Sequence, residues 1–268
     1  MLRAGTTLRD RRSRLYMKIL LTNDDGIYAP GLAAMECALK RLGDVHVVAP
    51  AVEQSGVGHS ITFLSPLMAK EVFDGDRRRG WAVEGSPADC VKLAMSEFCR
   101  EPDLVVSGIN GGLNVGINVL YSGTVAGATE GAVFGIPSVA VSLEYDEHAQ
   151  FDQAAEMATR LIEQILAIRD SGAHRLYNIN IPTVALERPT EVRVVPMATV
   201  GWPAEFDRRE DPKGRRYYWA MGTPAVPVAG EMTDLEAWEK GFVTVTPLRI
   251  DRTEREVLRQ MRDWKLTI

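Results

Sequence analysis

Two adjacent carboxylates, Asp24 and Asp25, stand in the stretch Lys18-Ile-Leu-Leu-Thr-Asn-Asp-Asp-Gly-Ile-Tyr-Ala-Pro-Gly31. Carboxylates side by side repel, and both stay ionised only where a cation compensates them. Their hard oxygens suit Mg²⁺, Mn²⁺ or Ca²⁺. The other reading is a solvated turn, because Asn, Asp and Gly favour turns; this stretch alone does not choose between the two. Further oxygen-bearing candidates follow in two small-residue loops. Residues 51–62 offer Ser55, His59 and Ser60. Ser55 can present a hydroxyl to a metal, although taken alone it reads more simply as a serine in a Gly-rich turn. Residues 108–116 offer the neutral oxygen of Asn110. There Gly111 and Gly116 have Walker A spacing, but Ile117-Asn118 replaces the Lys-Ser/Thr that such a loop needs. A triphosphatase of that class is thereby disfavoured, and the glycines instead let backbone N–H groups approach an anion. Ser122 or Thr124 can cap a helix over 121–134. A helix start of that kind is either a plain cap or a phosphate site.

The elements that must position these residues can be read in order. Ile19-Leu-Leu21 is an apolar run that predicts a buried strand, stopped by the Asn-Asp-Asp-Gly turn. Residues 29–42 predict a helix, with Pro30 in its first turn and Leu32, Met35, Leu39 and Leu42 on one face. Val45–Ala49 predicts the next strand, so the two strands should be parallel with a right-handed crossover. No Gly-x-Gly-x-x-Gly fingerprint occupies the first turn. Residues 63–85 read as strands around a turn, with Arg77–Arg79 at a solvated tip. Ser86-Pro87 starts a helix. Strands are predicted over 102–107, 137–142 and 176–181, and an amphipathic helix over 151–169 carrying Ala154, Met157, Leu161, Ile165 and Ile168 on one face. A compact α/β unit should thus run from about 17 to 182. The loops at 23–26, 50–60 and 108–124 each follow a strand and should meet at one sheet edge, where ligands bind in open α/β folds. The last third reads differently, with β segments at 192–195, 215–221 and 242–247, an exposed loop over 208–216 and a terminal helix over 253–265. Trp202, Phe206, Tyr217, Tyr218 and Trp219 gather there. They predict either a dimerisation element or an intrachain cover.

Composition narrows the classes. A chain of 268 residues, 46% hydrophobic and 25% charged, is that of an ordinary globular protein. The net charge is −5, divided into +4 over residues 1–16 and −9 over the rest. That balance argues against a protein that coats nucleic acid. Cys37, Cys90 and Cys99 form no metal or redox spacing, and His46, His59, His148 and His174 are scattered. Free thiols in a reducing cytoplasmic compartment are expected, and zinc chemistry is not. There is no apolar stretch long enough to span a membrane. The Arg-rich residues 1–16 lack the apolar core of a secretory signal and are expected to be a disordered extension or an upstream start before Met17. A transit-like segment is the third reading.

Taken together, the motifs resemble the survival protein SurE family. They are Asn23-Asp24-Asp25-Gly26, Ala29-Pro30-Gly31, Val48-Ala49-Pro50, Ser55-Gly56, Gly58-His59-Ser60-Ile61-Thr62, Ser107-Gly108-Ile109-Asn110-Gly111-Gly112, Asn114-Val115-Gly116 and Tyr121-Ser122-Gly123-Thr124-Val125-Ala126-Gly127-Ala128. Pro87–Val91, Asn178–Pro182, Tyr218-Trp219 and Gly241–Asp251 extend the match, so that it covers about 17–265. The resemblance implies an α/β, Rossmann-like, mostly parallel sheet with flanking helices. It divides the chain into a catalytic core over 17–200 and a C-terminal hairpin, strand and helix over 201–268. That second part completes the domain and makes the contacts of a homodimer or homotetramer. It implies one divalent metal ion, Mg²⁺ or Mn²⁺, on Asp24, Asp25, Ser55 and Asn110. It also implies a phosphate site from Ser122, Gly123 and Thr124, with Asn114 and Gly111 nearby.

The activity so implied is hydrolysis of nucleoside 5′- and 3′-monophosphates, with short polyphosphate as a further substrate. Asp24 and Asp25 are its catalytic pair, and Asp24 is the favoured residue for orienting or deprotonating water. Two alternatives stand beside it. An aspartyl-phosphate phosphatase would use Asp24 as nucleophile, but that class spaces its carboxylates as Asp-x-Asp. A nucleotide-binding regulatory module would bind without turnover.

Overall fold

The computed structural model describes residues 16–168, 175–200, 205–221 and 230–267. The expected extension, Tyr16 apart, and Trp202 lie outside them. The first half runs β1 (Met17–Thr22), α1 (Pro30–Leu39), β2 (Gly43–Pro50), β3 (Ala69–Asp74), β4 (Arg77–Val83), α2 (Pro87–Leu93), β5 (Leu104–Gly111) and α3 (Gly123–Val133). The second runs β6 (Ser138–Leu143), α4 (Phe151–Ile168), β7 (Leu176–Ile181), α5 (Val184–Glu187), β8 (Val192–Val194), β9 (Glu205–Glu210), β10 (Arg216–Met221), α6 (Asp234–Glu239), β11 (Val243–Pro247) and α7 (Arg255–Met261).

Nine strands form one sheet in the order β3-β4-β2-β1-β5-β6-β7-β11-β8. Every pairing in it is parallel except β3 with β4 and β11 with β7. The α/β class with a mostly parallel sheet is thus as expected. The chain builds leftward from β1 through α1 to β2, then returns to β5 on the other side of β1. The direction reverses between β1 and β5, and the crevice outside their carboxyl ends is where such sheets bind ligands. Ile19, Leu20 and Leu21 are fully buried because the central strand is covered on both faces. Helices α1 and α4 cover one face; α2 and α3 cover the other.

Helix α3 lies unusually close to the sheet. Gly123, Gly127 and Gly131 recur every four residues and so form one stripe. A Cβ at any of them would come within 2.5–2.9 Å of neighbouring atoms. Only a bare backbone fits at that separation, and the contact brings the α3 N-terminus onto the end of β1.

Several sequence expectations need correcting. The strand over 102–107 extends to Gly111, with a register shift between Ser107 and Asn110. The loop expected over 208–216 narrows to a turn over 211–215, because β9 pairs antiparallel with β10 on either side of it as a separate hairpin. Five of the six β9 residues are charged, so no apolar alternation marks it. Arg79 is not at a solvated tip. Its Nε donates to Glu36 at 3.0 Å and its Nη1 to Ile27 O at 2.9 Å, which ties β4 to α1 and to the acidic turn. Helix α4 buries Ala155, Ala158 and Ile162 at its centre, with Met157, Leu161 and Ile165 at the margin, while Ile168 is exposed. The terminal helix spans only Arg255–Met261 and buries no residue. No helix among the described residues is long and apolar enough to cross a membrane.

Candidate active site

The acidic turn is built before any ligand arrives. Asn23 is fully buried and its Nδ2 donates to Gly26 O at 3.0 Å, closing the turn. Gly26 takes a φ of 99°, open to glycine at little cost. The following loop is pinned beside it: Ile27 N donates to Pro50 O at 2.8 Å and Gln54 N to Asp24 O at 2.7 Å. The ends of β1, β2 and β5 therefore share one rim.

Asp24 is buried, with 4% of its surface exposed. Its Oδ1 accepts the Thr124 hydroxyl, and Thr124 also gives it a backbone N–H bond. Burial pushes its carboxyl above the ordinary range, against those Thr124 bonds. Asp25 is half-buried and accepts from Gly111 N at 3.3 Å. Burial first, and the Asp24 charge second, push its carboxyl up to about 6; the Gly111 N–H opposes this and the Glu53 carboxylate adds to it. The charges acting on the pair are acidic, so holding both carboxylates ionised calls for a cation.

The donor set fits a hard divalent ion. Asn110 spends its Nδ2 on Gly112 O, which leaves Oδ1 as the atom that could face a metal. Ser55 donates to Glu53 Oε1 at 2.7 Å, a bond that uses its hydrogen and leaves its lone pairs. Among the described residues no group of three or more His, Cys, Asp or Glu could hold a metal. Two carboxylates with neutral oxygens would suit a hard ion such as Mg²⁺ or Mn²⁺.

Of the residues expected at the phosphate, Ser122, Gly123 and Thr124 stand at the start of α3, whereas Gly111 ends β5 and Asn114 lies in the loop after it. Ser122 caps α3 by accepting Val125 N at 3.0 Å, and Gly123 packs directly on Asp24. Thr124 is fully buried and engaged by Asp24. Gly111 gives its N–H to Asp25. Asn114 is clamped: its N–H donates to Asn180 Oδ1 and its Nδ2 to Ser142 Oγ, each at 2.8 Å. Its carbonyl accepts Asn178 Nδ2 at 2.8 Å. Sequence reasoning missed Glu53, Asp89, Glu130 and Asp234. Asp89 accepts Thr62 N and Thr62 Oγ1 at 2.8 Å each, fixing the loop after His59. Its signal was Ser86-x-x-Asp89, a capping box. Asp234 accepts Gly116 N and Ala198 N at 2.8 Å each, anchoring the glycine loop from the far end of the chain. Burial raises its carboxyl while those N–H bonds lower it, and the net shift is upward.

A cavity of about 690 Å³ opens next to the α3 N-terminus. Ser122 and His59 stand on its wall, over apolar residues Val125, Leu176 and Leu248.

The chain is similar to known proteins over most of its length. The family model described as survival protein SurE matches residues 19–204. A protein of Rhodopirellula baltica named 5′-nucleotidase SurE is 54% identical over 93% of this chain and 99% of its own length. One of the same name from Heliobacterium modesticaldum is 44% identical over 92% of each. The crystal structure of the SurE protein from Aquifex aeolicus superposes with a TM-score of 0.78 at 38% identity, covering 91% of this chain and 98% of that one. The chain belongs to the survival protein SurE family.

Proposed function

We propose that this chain is a phosphoric monoester hydrolase that converts nucleoside 5′-monophosphates to nucleoside and inorganic phosphate. The names of its relatives support the reaction class. The observation that carries it in this chain is the contact of Gly123 and Thr124 with Asp24. It sets a helix N-terminus, which attracts a phosphate dianion, against a carboxylate pair, which attracts a cation. Substrate and ion then neutralise one another across a single crevice.

Asp24, Asp25, Ser55 and Asn110 would hold the divalent ion, Mg²⁺ or Mn²⁺. When bound it supplies positive charge against the phosphoryl oxygens and favours ionisation of water. Thr124 fixes the rotamer of Asp24. Asp25, the more open carboxylate, is the one water reaches and takes the proton of the attacking water. That assignment departs from the sequence preference for Asp24, whose Oδ1 is occupied and whose surface is buried. The N-terminus of α3 at Ser122 and Gly123 stabilises the equatorial oxygens as charge shifts toward the leaving group. Gly111 and Asn114 hold the loop that carries Asn110. Activity on 3′-monophosphates and short polyphosphate belongs to the same proposal, since the site grips the phosphoryl group and not the ester carbon.

The β9–β10 hairpin supports self-association. A lone two-stranded hairpin is marginal in water. This one exposes Phe206, Tyr217, Tyr218 and Trp219 away from the main sheet. In this reading β11 completes the main sheet and the hairpin offers its surface to a second copy.

The test is phosphate release from a panel of 5′- and 3′-nucleoside monophosphates with Mg²⁺, Mn²⁺ or EDTA. Release that requires metal and ranks the nucleotides supports the proposal. Release indifferent to EDTA contradicts the cation site, and no release with any metal contradicts the activity.

A further inference from the structure

Glu130 is a carboxylate that the reaction as described leaves without a task. It lies in the middle of α3 with 5% of its surface exposed, on the face that lines the cavity. Its Oε2 stands 2.7 Å from His59 Nε2 and its Oε1 3.2 Å from Lys92 Nζ. Burial works to raise its carboxyl, but the bonds from His59 and Lys92 outweigh it and hold it below the ordinary range. Glu130 is therefore an anion at neutral pH. An ionised carboxylate on Nε2 keeps a proton on that nitrogen and orients the ring, with Nδ1 the remaining nitrogen for a second partner.

The backbone that carries His59 is tied to the start of α3. Gly58 N donates to Tyr121 O at 2.9 Å. The next residue on each strand of that contact is His59 on one side and Ser122, the cap of α3, on the other. Both line the same cavity, whose apolar wall of Val125, Leu176 and Leu248 can cover a base and a ribose.

We propose that the nucleoside part of the substrate occupies this cavity and that His59 is the general acid that protonates its leaving oxygen, with Glu130 as the positioning residue. The proposal rests on the phosphatase reading above. Water adds its oxygen to phosphorus. The bond between phosphorus and the ribose oxygen breaks with its electron pair on that oxygen, which takes a proton from the His59 imidazolium. The attacking water gives up one proton, His59 is reprotonated from solvent, and nucleoside and hydrogen phosphate leave.

The experiment compares two substrates of unlike leaving group in His59→Gln and His59→Asn, with metal saturating. A ribose alkoxide needs a proton to leave; the phenolate of para-nitrophenyl phosphate does not. General acid catalysis contributes about 100-fold or more. His59→Gln should therefore lower kcat on a nucleoside monophosphate by about 100-fold while leaving turnover of para-nitrophenyl phosphate within about fivefold. Retained turnover of the second substrate shows that the variant folds. Glu130→Gln should give a smaller loss with the same asymmetry. Equal losses on both substrates, or no loss on either, overturn the role of His59. A wild-type protein that hydrolyses neither substrate overturns the phosphatase reading, and this inference with it.

Discussion

Asp24 accepts the Thr124 hydroxyl on Oδ1 while Gly123 lies against its Cβ, so its carboxylate has one orientation open to it. Groups that orient a metal ligand typically cost 10–100-fold in affinity or activity when removed. Thr124→Val keeps the shape and removes the hydroxyl. Its kcat/KM for a nucleoside monophosphate should fall by about 10–100-fold, and Thr124→Ser should restore most of it. Equal activity in the Val variant would mean that the hydroxyl has no part in positioning Asp24. The acid pair itself was legible in the sequence, because it follows an apolar run and ends in glycine. The partners of these side chains were not. Thr124 lies 100 residues from Asp24, and Glu130 lies 71 from His59. No local pattern announces a contact that only the sheet order creates.

The loop from Gly111 to Gly116 is held from two sides. Side chains of β6 and β7 grip Asn114, and Asp234 at the start of α6 grips Gly116. Asp234 accepts three backbone N–H groups at 2.8 Å, from Gly116, Ala198 and Leu235. Asp234→Ala leaves buried donors unmet and should cost about 3 kcal/mol in urea denaturation. A cost under about 0.5 kcal/mol, the range of ordinary surface substitutions, would contradict this anchoring. Strands β1, β2 and β7 could be read from the sequence because apolar runs end there in turn formers or proline. The hairpin could not, because Glu205-Phe-Asp-Arg-Arg-Glu210 faces no core and carries no burial period. The sheet also continues past β7 through β11 and β8, so the change of character after residue 182 marks a change of topology and not the end of the layer.

Across the whole molecule, the ion group of Glu36, Lys40 and Arg79 joins β4 to α1 and, through Ile27, to the catalytic rim. Burial acts to raise the Glu36 carboxyl, but the bonds from Lys40 and Arg79 prevail and hold it below the ordinary value. Its folded pKa is thus lower than its unfolded one. The stability it contributes is present in full above the unfolded pKa and is lost as pH falls through the folded one. Arg79→Met should therefore destabilise by about 1–3 kcal/mol at neutral pH, and the difference from wild type should shrink below about pH 4. A difference that grows on acidification would reverse the sign and refute the assignment. The net charge argues against a nucleic-acid coat, and the topology adds why three loops meet on one rim. β1 and β5 are neighbours in space with the whole of β2 to α2 between them in sequence, so only the reversal at β1 brings Asp24, Asp25 and Asn110 together.

The most direct measurement is anomalous diffraction from crystals grown with Mn²⁺. An ion bound as described should give one strong peak about 2.0–2.3 Å from oxygens of Asp24, Asp25 and Asn110, with Ser55 at or near the same shell. A bound ion whose peak lies away from the Asp24–Asp25 turn, or a turn that stays empty at saturating Mn²⁺, would contradict the account.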